Sequence, residues 1–201
     1  MFRALIGICF LLLTASSASA DTDPKLVEQL RHGGYVLLMR HASAPQAAPD
    51  KQSADPENKG LERQLDANGR ATAAAMGGAI KSLRIPVGAV YSSPTYRARQ
   101  TVHHAGLGTP ETFIQLGDKG SSMEKGAVTN QAGWLREKVS EAPRPGANTI
   151  IVTHMPNIVT AFPDAGSKVA EGEALVFQPQ GGGKAVLIAK VPIEDWPNLA
   201  R

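Results

Sequence analysis

Three short runs in this chain read as buried strands, apolar or nearly so throughout: Tyr35–Met39, Val87–Tyr91 and Thr149–Val152. None alternates apolar with polar residues, so none reads as a strand with one wet face. Each needs cover on both sides, as strands of a parallel sheet do. The segments between and around them read as helices: 24–32, 67–83, 94–106 and 131–141. Asp23-Pro24 and Asp66 are the expected caps, and Gly33-Gly34 stops the first helix. Gly77-Gly78 costs helix stability and permits close packing. A short strand is expected at Thr112–Leu116. Two more, Leu175–Phe177 and Ala185–Val191, flank a Gly181–Gly183 turn. Strands alternating with helices predict an α/β fold, a three-layer αβα sandwich around a mostly parallel sheet. With 201 residues, 42% of them hydrophobic, and no repeat or linker, one domain with a full core is expected.

The first twenty residues stand apart. Met1-Phe2-Arg3 is a short basic start, Ala4–Leu13 is apolar, and Ala18-Ser19-Ala20 is a small-x-small cleavage pattern. The apolar run is shorter than the ~20 residues that a membrane span needs. The expected organisation is therefore a signal peptide at 1–20 and a mature domain at 21–201, periplasmic or secreted, with no stable membrane insertion. The single cysteine, Cys9, falls inside the leader. A mature chain without cysteine tolerates an oxidising compartment and cannot use a thiol nucleophile or a thiolate-bound metal. The net charge of +3 is small and the basic residues are scattered, which argues against a nucleic-acid partner and is compatible with a small anionic one.

Parallel sheets bind ligands at the carboxyl ends of their strands. The first run ends in Arg40-His41. The second ends in Ser92-Ser93-Pro94 and feeds a helix carrying Arg97 and Arg99. The third ends in Thr153-His154. Arginine's planar fork matches phosphate oxygens with paired hydrogen bonds, and a helix N-terminus at the same edge adds free N–H groups. Together these residues describe a site for a dianion.

Arg40-His41, the stretch Ser92–Thr101 and Val152-Thr153-His154, with Leu65–Ala71 before the second helix, resemble the histidine phosphatase superfamily and its phosphoglycerate-mutase-like fold. One residue departs from the pattern: the glycine that usually follows Arg-His is Ala42 here. The resemblance implies that His41 is the nucleophile and that Arg40, Arg97 and His154 hold the phosphoryl oxygens. It implies phosphomonoester hydrolysis through a phosphohistidine, with no metal and no cofactor. A neutral imidazole nitrogen is chemically suited to in-line attack on phosphorus.

A general acid for the leaving group is expected soon after the second arginine. Asp118 is the first candidate and Glu124 the second. Ser43 and Glu173 are further candidates for lining the substrate site. The alternative is a catalytically weak or inactive phospho-ligand-binding protein of the same fold. A phosphoglycerate mutase is disfavoured by the export signal. Neither the particular phosphoester nor the oligomeric state is readable. His103-His104 is expected to be structural, because adjacent helical residues point about 100° apart. The 43–63 loop reads either as a substrate lid or as a solvated surface loop.

Overall fold

The computed structural model describes residues 24–118, 130–165 and 168–199. The expected leader at 1–20 with Cys9, the expected cap Asp23 and the second-choice acid Glu124 lie outside the described residues. In chain order the elements are α1 (Pro24–His32), β1 (Val36–Arg40), α2 (Ala67–Ser82), β2 (Val87–Ser92), α3 (Tyr96–His104), β3 (Glu111–Thr112), α4 (Gln131–Ser140), β4 (Asn148–Thr153), α5 (Met155–Ala161), β5 (Ala174–Gly181) and β6 (Lys184–Val191). The strands form one sheet in the order β3-β2-β4-β1-β5-β6. Strands β1 to β4 are mutually parallel, and β5 alone runs against them, between β1 and β6.

The apolar runs are continuous because both faces of the sheet are covered. Leu37, Met39, Ile150, Val152 and Val176 pack on one side with Leu30 of α1, Met76 and Ile80 of α2, Val102 of α3 and Trp196. Val36, Leu38, Ile151, Leu175 and Phe177 pack on the other with Leu135 and Val139 of α4 and Ile158 of α5. Successive strand residues thus enter opposite layers. Burying such a side chain contributes about 1.5–3 kcal/mol, so a slip of one residue in β1 would misplace several at once. The register is therefore pinned, and with it the position of the polar residues at the strand ends. Arg40 pairs with Thr153, and Ser92 pairs with Val152. His41, Ser93 and His154 consequently leave the sheet side by side.

The Asp66 cap forms as expected, its carboxylate accepting from the Gly69 amide at 2.6 Å. Gly77 faces α3 so closely that a Cβ there would collide with the Ala105 carbonyl, whereas Gly78 faces open space. The glycines at 181–183 close the β5–β6 hairpin, each with positive φ. The expected strand at 112–116 is instead two residues of β3 followed by a 3-10 turn at Ile114–Leu116. Its backbone folds back on itself, the Leu116 amide donating to the Phe113 carbonyl at 3.0 Å. That turn buries Leu116 while Ile114 remains 43% exposed. Helix α5 was not anticipated. It is seven residues long and carries a proline in its first turn. Among the described residues no helix is long and apolar enough to cross a membrane.

Candidate active site

Three strand ends build a buried cluster. His41 follows β1, its amide donating to the Thr153 carbonyl at 3.0 Å and its carbonyl accepting from the Gly172 amide at 2.9 Å. His154 follows β4 and precedes α5. Arg97 lies in the first turn of α3. The three are 3%, 2% and 2% exposed. The imidazole centroids of His41 and His154 are 5.3 Å apart.

Hydrogen bonding assigns a tautomer to each ring. His41 Nδ1 donates to the Ala42 carbonyl at 2.8 Å, so its Nε2 keeps a lone pair, which accepts from Arg97 Nε at 3.2 Å. Arg97 Nη2 donates to His154 Nδ1 at 3.1 Å, so the His154 proton sits on Nε2 and points to the Ser93 hydroxyl at 3.0 Å. One guanidinium therefore touches both imidazoles. Burial, reinforced by the charges of Arg97, Arg40 and Arg63 against the opposing pull of the Ala42 carbonyl, lowers the His41 pKa to about 3. Burial, then Arg97, His41, Arg63 and Arg40, lowers that of His154 to about 2. Both rings are neutral near pH 7.

Asp118 joins this cluster, accepting from Arg97 Nη2 at 2.5 Å. Its approach is fixed from behind. Asn157 Nδ2 donates to the Gly117 carbonyl at 2.8 Å, and the Thr153 hydroxyl donates to the Leu116 carbonyl at 2.7 Å. The Asp118 side chain is 32% exposed and stands on the open side of the site. Arg40 lies on the other flank, donating Nη1 to the Val169 carbonyl at 2.9 Å and Nη2 to Glu171 Oε1 at 2.9 Å. Its Nε is buried without a partner.

Two sequence candidates are engaged elsewhere. The Ser43 hydroxyl donates to Asp66 Oδ2 at 2.8 Å and ties the loop to the start of α2, on the wall of a groove that Arg40 also lines. The Glu173 carboxylate accepts from the Ala170 amide at 2.7 Å and closes a turn. The α3 N-terminus is also less free than expected, since the Tyr96 amide donates to Glu62 Oε2 at 2.8 Å. Arg99 is exposed, its guanidinium carbon 5.8 Å from the centre of the Tyr96 ring. His103 and His104 meet edge to face, and among the described residues no three His, Cys, Asp or Glu side chains are grouped to hold a metal ion.

Arg63 and Glu171 belong to this neighbourhood and were missed. Arg63 closes the 43–63 loop, and its charge reaches His41, His154 and Arg97. Neither residue sits at a strand end or in a periodic segment, so the pattern that exposed the others had no hold on them.

Residues 36–117 match the family model described as the histidine phosphatase superfamily (branch 1). No curated protein matches the chain. Among solved structures, the protein histidine phosphatase SixA complexed with tungstate is 19% identical and superposes with a TM-score of 0.55, covering 79% of this chain and 97% of that one. The putative phosphohistidine phosphatase SixA from Agrobacterium tumefaciens is 17% identical, with a TM-score of 0.51 and coverage of 79% and 97%. A mutant phosphoserine phosphatase from Entamoeba histolytica in complex with phosphoserine is 13% identical, with a TM-score of 0.52 and coverage of 80% and 98%. The chain has the phosphoglycerate-mutase-like fold of the histidine phosphatases, and its residues 36–117 carry the sequence pattern of that superfamily's branch 1.

Proposed function

We propose that the protein is an exported, metal-independent phosphomonoesterase of the histidine phosphatase superfamily that works through a phosphohistidine on His41. One observation carries this reading. The His41 imidazole is neutral, has its tautomer fixed by the Ala42 carbonyl, and aims its free Nε2 lone pair at an arginine shared with a second imidazole. That is an oriented nucleophile inside a cationic pocket.

In the first step Nε2 attacks phosphorus, replacing the Arg97 N–H as its partner. The P–N bond forms as the bond to the leaving oxygen breaks. Arg97 and the unpartnered Nε of Arg40 hold non-bridging oxygens, where positioning and charge supply most of the catalysis. The incoming dianion offsets the arginines around His154 and favours its protonated, donating form. Asp118, on the open side, delivers a proton to the departing alkoxide. In the second step water attacks phosphorus and gives a proton to the Asp118 carboxylate left by the first, the P–N bond breaks, and phosphate and neutral His41 are released.

A binding protein without turnover is the second reading. It is favoured by one contact, the pairing of the candidate acid Asp118 with Arg97. Steady-state assay with an aryl phosphate in the presence of chelator separates the two. The first reading expects phosphate release that is lost in His41→Ala; persistence of turnover in that variant would sink it. The second expects an oxyanion to bind without release.

A further inference from the structure

The Arg40-His41 pair is gripped by the turn that leads into β5. The Arg40 amide donates to the Glu173 carbonyl at 3.2 Å, and the Gly172 amide donates to the His41 carbonyl at 2.9 Å. Gly172 has φ +78, and Ile193 fills the space that a Cβ would take. The turn is thus confined to one backbone shape, which only glycine adopts readily there. This geometry delivers the Glu171 carboxylate to Arg40 at 2.9 Å. The same oxygen lies 3.9 Å from Arg63 Nη2. Arg63 is otherwise bound to its own loop, donating Nε to the Pro45 carbonyl at 2.6 Å and Nη2 to the Ala44 carbonyl at 2.8 Å. One carboxylate therefore stands between the arginine of β1 and the arginine that ends the 43–63 loop.

With Nη1 on Val169 and Nη2 on Glu171, the plane of the Arg40 guanidinium is set. Its buried Nε is left as a donor in search of an acceptor, a costly arrangement unless a ligand oxygen completes it. We propose that Glu171 is a positioning residue for the phosphoryl group, an inference that rests on the phosphatase reading above. Glu171 holds Arg40 with its Nε edge toward the phosphoryl oxygens and tethers Arg63, fixing the end of the loop against β1. It acts through the two arginines and does not touch the reacting atoms.

A purely electrostatic role makes the opposite prediction, because removing a carboxylate beside two arginines would tighten anion binding. The test uses orthovanadate as the probe, titrated calorimetrically into the full chain, alongside steady-state kinetics. Glu171→Ala is expected to weaken vanadate and raise KM by roughly 10-fold, the scale seen when a group that orients a ligand contact is removed. The loss should fall on KM more than on kcat. Glu171→Gln keeps an oxygen acceptor without the charge and should stay close to wild type. In an Arg40→Ala background, Glu171→Ala should lose most of its effect and keep only the part carried through Arg63. If Glu171→Ala does not fold, Glu171→Asp, one methylene short, should lose affinity while Glu171→Gln keeps it. Unchanged or tighter vanadate binding in Glu171→Ala, or in Glu171→Asp where that variant stands in, overturns the proposal alone. A wild-type protein that neither binds vanadate nor hydrolyses an aryl phosphate overturns the phosphatase reading and this proposal with it.

Discussion

At the scale of the residue, pH is the sharpest probe. His41 and His154 ordinarily titrate near 6.5, and burial takes them to about 3 and about 2. The folded state therefore binds fewer protons than the unfolded state as pH falls below 6.5. Stability should be full above that value and decline toward acid, by roughly 1.5 kcal/mol per imidazole between pH 6.5 and 5. Urea denaturation across this range checks it, and His154→Gln should flatten the slope. For catalysis, kcat/KM should show no acid limb near 6.5 from the free enzyme. Arg97→Ala should raise the His41 pKa and lower kcat/KM by about 10²–10³-fold, since it removes the donor shared by the site. Residues at strand ends were readable because a buried run that stops at Arg or His has few reasons to do so. Arg63 and Glu171 come from irregular chain, where only the folded contacts bring them near β1. The Ser43 hydroxyl looked available in the sequence because its bond to Asp66 joins positions 23 residues apart.

At the scale of the element, the α2–α3 contact offers a paired test. Gly77→Ala puts a methyl group into the Ala105 carbonyl and should destabilise by about 1–3 kcal/mol. Gly78→Ala meets nothing and should stabilise by about 0.5–1 kcal/mol through helix propensity. Thermal unfolding of the two variants reads the opposite signs directly. The sequence shows both glycines alike, and only packing separates them. The parallel strands were legible for the reason that makes them strands: cover on both faces removes any need for polar alternation. Helix α5 was not, because seven residues with a proline in the first turn carry too few apolar positions for a helical period to appear. The 112–116 segment misled in the other direction. Phe113 and Leu116 are spaced for a turn, and β3 ends at Thr112.

At the scale of the whole molecule, the sheet brings residues from three distant parts of the chain to one edge, and the export we propose would set where their chemistry operates. If residues 1–20 are a signal peptide, protein recovered outside the cytoplasm should begin at Asp21, which N-terminal mass spectrometry reads. The account as a whole rests on a covalent phosphate on His41. Wild-type protein turning over a radiolabelled phosphoester, quenched in alkaline denaturant and mapped by peptide mass, tests it most directly. The account predicts label on the His41 imidazole, stable to base and lost in acid, and none in His41→Asn. Sustained turnover with no labelled protein, or label carried by His154 instead, would contradict it.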